Sequence, residues 1–464
     1  MASFTLSEIL AATGGQLLVN GPVHQFCGVS TDTRALQPGE LFVALRGERF
    51  DGHTFLERAR ELGAAGALVE DPGPGVRRRT MASGPWCIIE TTDTLYALGQ
   101  LAQCHRRRFD LPIVGITGSA GKTTTKEMTA SILAQGRTVL KSQGNFNNEI
   151  GLPLTLFTLT ATHQAVVLEF GMRGRGQVGY LAALARPTVG IITNIGLTHL
   201  ELLGSQQEIA LAKAELLDEM SPDSIAILPR DDDFFPLLSA HARGRVLTVG
   251  LDDRSDYWVS TSLLDDEGCV RFTLQTPEGS IPVRLSVPGT HQVRNALAAA
   301  AAALCVGATP QEVRDGLAEY QPGKGRMQML RAAGGYQVID DTYNANPAAV
   351  RATLEYLVQM PGTPKIAILG DMRELGPTER ELHRELGRYA MELGVDALLA
   401  IGELGREYVT GASDARAQWY PDHAAATAAA RSLLTPGAVV LVKGSRAMQM
   451  EQIVAALVAE RKAD

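Results

Sequence analysis

Short apolar runs alternate with longer stretches of mixed polarity over most of the chain. Ile113–Thr117, Val139–Lys141, Ala165–Phe170 and Val189–Asn194 are near-continuous apolar runs, the pattern of strands covered on both faces of a parallel sheet. Segments of helical character separate them. The alternation resumes toward the C-terminus, with strands expected at Gln337–Asp340, Lys365–Leu369, Ala397–Ile401 and Ala438–Val442. Nearer the N-terminus, strands are expected at Phe42–Leu45 and Trp86–Ile89, and a helix over Thr54–Leu62 stops at Gly63. Asp93 can cap a helix over Thr94–Arg106, whose basic end suits a helix C-terminus. Ser205 and Glu208 have capping-box spacing and open the helix that carries Lys213. Residues 245–287 alternate apolar and polar with turn signals, which predicts an antiparallel addition.

Breaks at Phe109–Pro112 and Gln321–Gly325 divide this pattern. Three domains follow, over residues 1–108, 109–322 and 323–464. The fold class is α/β: a small N-terminal domain, then two domains built on doubly wound, mainly parallel sheets. A length of 464 residues agrees with that number. No internal repeat or low-complexity segment interrupts it.

Composition narrows the function classes. Acidic residues outnumber basic ones 51 to 43, for a net charge of −8, which argues against general nucleic-acid binding. A local basic pocket for an anion stays possible. The five cysteines include no CxxC pair, so a disulfide framework or zinc ribbon is not expected, and a reducing cytoplasm is. The opening MASFTLSEIL lacks the basic start and apolar run of a signal peptide. The small-apolar stretch Ala296–Val306 is too short to span a bilayer and reads as a buried helix.

The strongest local chemistry lies in IVGITGSAGKTTT, Ile113–Thr125. An apolar strand runs into a glycine-rich turn, and Lys122 and Thr123 open a helix. Backbone N–H groups of such a turn cradle phosphates, with the lysine reaching the terminal ones and the hydroxyl meeting magnesium. The usual pattern wants glycine at position 116, where this chain has Ile116; its glycines stand at 115, 118 and 121. An ordinary strand–helix turn is the alternative. Glu169 ends a buried strand and could hold magnesium or simply face water. His199 alone reads more readily as structural. Lys213, amid ALAKAELL, reads alone as a snorkelling surface lysine. Polar clusters also follow strands at Asn145–Glu149, Asp340–Pro347, Gly370–Arg373 and Lys443–Arg446. Each could be a helix cap or turn. Three of them at strand ends of one domain suggest a ligand crevice.

Together these motifs resemble the Mur ligase family, ATP-dependent amide-forming enzymes of peptidoglycan precursor synthesis. The family's TG-x-x-GKT[ST] loop fits Thr117–Thr124 and accounts for the shifted glycine. The resemblance covers the whole chain and implies a phosphate-loop ATPase fold for the central domain and a Rossmann-like C-terminal domain. DDTYNANP and LGDMRELG resemble the branch that joins D-alanyl-D-alanine to UDP-N-acetylmuramoyl-tripeptide; the Asp-Asn-Pro-Arg signature of the third-residue ligase is absent.

The resemblance implies specific roles. Gly118, Ser119, Ala120, Gly121, Lys122, Thr123 and Thr124 would bind ATP phosphates. Asn295 would contact adenine, preceded by His291 at the family spacing. Arg326 would approach the phosphates, and Asp341 the ribose. Thr123 and Glu169 would hold magnesium, with His199 and a carbamylated Lys213 serving a second ion. Lys122, Lys213, His199 and Arg326 would form the catalytic set. Ser30, Thr33 and Arg34 would hold the uridine nucleotide, with Thr33 where serine is commoner. Asn145, Asn148 and Glu149 would face the muramoyl substrate. A cytoplasmic monomer is expected, with no nucleic-acid partner and no membrane insertion. A folate-type or other amino-acid ligase would lack the STDTR motif. A nucleotide-switch or transport ATPase would leave DDTYNANP unexplained.

Overall fold

The computed structural model describes residues 2–48, 50–70, 86–265, 269–289 and 291–459. Nearest the N-terminus, five strands form a mixed sheet in the order Gln16–Val19, Cys87–Glu90, Gly66–Val69, Leu41–Val43, Val29–Ser30. The first pair is antiparallel and the rest parallel. A helix over Leu6–Thr13, absent from the sequence reading, opens with a complete capping box between Thr5 and Glu8. The helix expected over Thr54–Leu62 is divided. Asp51 accepts from His53 N and tightens Gly52–Phe55 into a 3₁₀ turn, and the α-helix runs only over Leu56–Glu61. Thr94–Arg106 forms as expected, with Asp93 accepting from Tyr96 N.

The central sheet has six parallel strands in the order Arg245–Val249, Ile225–Pro229, Val189–Ile192, Ile113–Thr117, Ala165–Glu169, Val139–Lys141. Alternate residues feed two different layers. Val114, Ile116 and Val167 pack with the alanine-rich helix His291–Cys305, whereas Ile113, Val166 and Leu168 pack on the opposite side. Ala296–Ala303 are all buried, and their short side chains let this helix sit against Lys122–Leu133. Among the described residues the antiparallel addition is three strands, Trp258–Leu264, Cys269–Thr276 and Gly279–Pro288, paired in that order. Arg245–Val249 belongs instead to the parallel sheet. Its alternating burial is that of an edge strand with one face open, which sequence alone does not separate from an antiparallel strand. The Ser205 cap accepts from Glu208 N, but Glu208 turns its carboxylate to Arg175 at 2.9 Å, so the box is half made.

The last sheet runs Gln328–Arg331, Gln337–Asp341, Val439–Lys443, Lys365–Leu369, Ala397–Ile401, Ala417–Tyr420. All its pairings are parallel except the first. Ile339 and Leu369 face one layer of helices, Val338 and Ile368 the other. In both six-stranded sheets the strand order reverses beside a strand that carries site residues. Doubly wound sheets open a crevice at that point, beyond the carboxyl ends of their strands.

Close packing in the last layer rests on glycine. A Cβ on Gly387 would stand 1.9 Å from the Tyr408 carbonyl oxygen. Gly387→Ala must therefore push Glu379–Glu392 away from Gly405–Ala412. We expect a loss of about 1–3 kcal/mol in urea unfolding. An unchanged midpoint and slope would contradict this packing.

Candidate active site

One cavity of about 700 Å³ lies where the two crevices meet. The central sheet contributes the loop Thr117–Thr124, Glu169, His199 and Lys213 to its walls; Asn145, Asn148, Glu149 and Asn295 also line it. The C-terminal sheet contributes Arg326, Asp341, Tyr343, Glu374 and Lys443. The sequence-derived set is thus gathered in one place, apart from Ser30, Thr33 and Arg34, which are not among the lining residues. Ser30 is buried and bonds the backbone of Asp32. Arg34 grips the Asp32 carboxylate through Nε and a terminal nitrogen at 2.9 and 2.6 Å.

The loop's shape depends on two glycines. Gly118 has φ +147° and Gly121 φ +80°, both in the region that disfavours side chains. A Cβ at 118 would strike Thr193 Oγ1 at 1.9 Å, and one at 121 would strike Asn295 Oδ1 at 2.2 Å. Neighbours hold the turn. Asn194 Oδ1 accepts from Ala120 N at 2.9 Å, and Thr193 Oγ1 donates to the Ala120 carbonyl. Thr125 is the first residue whose N–H finds an intrahelical carbonyl, on Gly121 at 2.8 Å. The amides of the first turn are left without such partners.

Lys122 folds back so that Nζ donates to the Gly118 carbonyl at 2.7 Å. Burial lowers its pKa and Arg326 lowers it further, against the opposing pull of Glu169. Thr123 Oγ1 donates to Glu169 Oε2 at 2.7 Å, and Asn147 Nδ2 donates to Oε1 at 2.8 Å. Glu169 is buried, so these contacts fix its carboxylate at the strand end. Arg326 stacks 3.9 Å from the Tyr343 ring centre.

Lys213 is not a snorkelling surface residue. It is 1% exposed on the helix Gln206–Asp218 and lines the cavity. Burial, then the nearby Lys122 charge, drives its pKa well below the usual lysine value. His199 stands just before Leu200–Leu203, with Nδ1 2.6 Å from Glu374 Oε2 across the boundary between the sheets. The His199 contact holds the Glu374 carboxyl below its usual range. Asp341 pairs with Lys443 and accepts from Met327 N at 3.1 Å. Asn295 donates to Gln292 Oε1 at 2.9 Å, while Asn148 Oδ1 accepts from Gly151 N at 2.8 Å. The His291 side chain lies outside the described residues.

Sequence reasoning passed over Asn147, Thr193, Asn194, Tyr343, Glu374 and Lys443. Each stood inside a quoted strand-end cluster or beside one. Their signal was position, since polar side chains just past parallel strands face the crevice.

The chain belongs to the Mur ligase family. The family's middle domain matches residues 116–303, its "glutamate ligase domain" 325–446, and its "catalytic domain" 25–106. Within the family, the chain is 36% identical over 460 residues to the UDP-N-acetylmuramoyl-tripeptide–D-alanyl-D-alanine ligase of Escherichia coli, covering 98% of this chain and 99% of that one. A crystal structure of MurF from Acinetobacter baumannii superposes with a TM-score of 0.92 at 33% identity, covering 99% of this chain and all of that one. MurF of Thermotoga maritima in complex with ADP superposes with a TM-score of 0.82 at 27% identity, over 93% of this chain and 96% of that one.

The Lys213 setting generates a stability prediction. In the unfolded chain its amine is protonated up to about pH 10.4, whereas the folded site disfavours the charge. Below that pH the unfolded state therefore binds the extra proton, and this group's penalty on folding shrinks as pH rises. In buffer free of carbon dioxide, Lys213→Met should be more resistant to urea than the parent near neutral pH, with the gap narrowing toward pH 10. A gap that widens with pH would contradict the site's electrostatics.

Proposed function

We propose that this chain is the ATP-dependent ligase that joins D-alanyl-D-alanine to UDP-N-acetylmuramoyl-tripeptide, giving the pentapeptide, ADP and phosphate. The observation that carries this reading is a single cavity in which the phosphate loop faces the DDTYNANP loop of the other sheet. We read the domains as residues 1–108 for the nucleotide sugar, 109–322 for ATP and 323–464 for the dipeptide.

A carboxylate is a poor electrophile. One oxygen of the tripeptide's terminal carboxylate takes the γ-phosphoryl group of ATP, breaking the bond to ADP. The dipeptide's neutral amine then attacks the acyl carbon. The carbon–oxygen bond to phosphate breaks, phosphate leaves, and the amine loses a proton. Negative charge gathers at this point, and preorganised cations stabilise it. Lys122 and Arg326 supply them. Gly118–Thr124 cradle the phosphates, Asn295 meets adenine and Asp341 the ribose. Asn145, Asn148 and Glu149 face the muramoyl peptide, and Ser30, Thr33 and Arg34 hold the uridine diphosphate.

Magnesium fits the donors. Thr123 Oγ1 and Glu169 offer hard oxygens 2.7 Å apart. No cluster of three His, Cys, Asp or Glu stands ready for a metal among the described residues. Magnesium typically takes one or two carboxylates and completes its shell with water and substrate phosphates. When bound, it neutralises charge on those phosphates. Lys213 complements this site as a carbamate: its neutral amine adds to carbon dioxide and loses a proton, turning a repelling cation into an anionic oxygen donor. His199 serves the same end of the cavity. We read the enzyme as a monomer whose cavity is walled by two sheets of the same chain. The cysteine usage, five with no CxxC pair, supports a reducing cytoplasm as its place.

ADP release should track pentapeptide formation and require the dipeptide. Equal turnover with a single amino acid in its place would sink the assignment. Lys122→Ala should stay folded and lose about a hundredfold to a thousandfold in kcat. Near-normal turnover by that variant would remove the loop lysine from the mechanism.

A further inference from the structure

One charged side chain beneath the site takes no part in the chemistry above. Lys126 lies one turn beyond Lys122 on the helix Lys122–Leu133 and is wholly buried. Its Nζ donates to the Ser142 carbonyl at 2.7 Å and stands 3.0 Å from Glu127 Oε1. Glu127 also pairs with Lys141, the last residue of the strand Val139–Lys141. Lys126 is thus held against the point where that strand stops.

The Ser142 carbonyl is an informative target. Lys141 is the register partner of Val167, and Ser142 N donates to the Val167 carbonyl at 3.1 Å. In an evenly spaced parallel ladder the next bond would run from Glu169 N to the Ser142 carbonyl. Glu169 N donates to the Ser142 hydroxyl instead, at 3.2 Å, and the carbonyl is turned to Lys126. The chain leaves the sheet there and enters residues 143–149, of which Asn145, Asn147, Asn148 and Glu149 line the cavity. Stability explains the lysine poorly. Taking an ammonium out of water costs more than a carbonyl and one carboxylate readily offset, and an apolar side chain of similar length would fill the space without that cost.

We propose that Lys126 is a positioning residue for the loop 143–149. The proposal rests on the ligase reading above, in which this loop faces the muramoyl peptide. By holding the carbonyl that would extend the ladder, the ammonium ends the strand at Lys141 and sends the chain toward the cavity. The helix that carries Lys126 opens with Lys122 and Thr123, so one rigid element sets the loop against the phosphate loop. An apolar side chain at position 126 leaves the Ser142 carbonyl free for Glu169 N. The ladder then gains a bond, and the loop is displaced from its place in the wall.

The test compares the full-length parent with Lys126→Met. Amide hydrogen exchange of the ligand-free proteins reads the loop directly. We expect faster exchange across residues 143–149, where Phe146 N and Asn147 N are bonded within the loop, and unchanged exchange across the strand Ile113–Thr117. In turnover, kcat/KM for UDP-N-acetylmuramoyl-tripeptide should fall by about tenfold to a hundredfold, with the KM for ATP held within about twofold. Lys126→Arg, which keeps a charged donor, should recover most of that loss. Should Lys126→Met fail to fold, Lys126→Gln, whose donor ends one atom short, provides the same two readouts. Loop exchange as slow as in the parent would overturn the proposal. So would faster exchange with kcat/KM for the nucleotide sugar unchanged, or equal losses for ATP and the nucleotide sugar. The exchange arm needs no turnover, so it stands apart from failure of the ligase assignment, which would show as a parent enzyme indifferent to the dipeptide.

Discussion

Two lysines share one cavity, and their removal from water is the constraint around which the site is built. Lys122 and Lys213 are both desolvated, and the charge of Lys122 depresses the pKa of Lys213 further. Arg326 adds to the same field from the other sheet. Glu169 is the buried carboxylate that opposes it. Lys122 and Arg326, held in a partly desolvated cavity, favour an anion between them, and a low-dielectric setting strengthens that preference. The triphosphate and the carboxylate of the proposed reaction answer that need.

The scaffold follows from where the two sheets end. Each six-stranded sheet is apolar on both faces, so its polar chemistry is pushed to the carboxyl ends of the strands. In one sheet those ends carry the phosphate loop and Glu169; in the other they carry Asp341 and Lys443. Backbone must come close to phosphate at the first of these ends, which is why glycines occupy positions 118 and 121. Side chains from Thr193, Asn194 and Asn295 fill the space a Cβ would take or hold the turn in place. Reagents are thereby brought together from opposite walls, which suits a reaction whose intermediate must be kept from water.

Much of this was legible in the sequence, for identifiable reasons. Ile113–Thr117, Lys365–Leu369 and Ala397–Ile401 were read with the bounds they have, because strands buried on both faces are unbroken apolar runs. The phosphate loop announced itself by local spacing. Arg245–Val249 was misassigned to the antiparallel region, since an edge strand alternates whichever way its neighbour runs. The Ser205 box was overread because Glu208 is drawn to Arg175, a partner 33 positions away in the chain. Lys213 looked like a surface residue from its own helix alone; its burial comes from the packing around that helix. The pairings His199–Glu374 and Lys443–Asp341 join segments far apart in sequence. No local pattern encodes such pairs, and only the folded chain brings them together.

The central claim is that this cavity activates a carboxylate by moving the γ-phosphoryl group of ATP onto it. Labelling the terminal carboxylate of UDP-N-acetylmuramoyl-tripeptide with ¹⁸O tests this most directly, because the oxygen that accepts the phosphoryl group must leave with it. After turnover with D-alanyl-D-alanine, the account predicts one ¹⁸O in each inorganic phosphate and one retained in the new amide. Unlabelled phosphate, with product still formed, would contradict it.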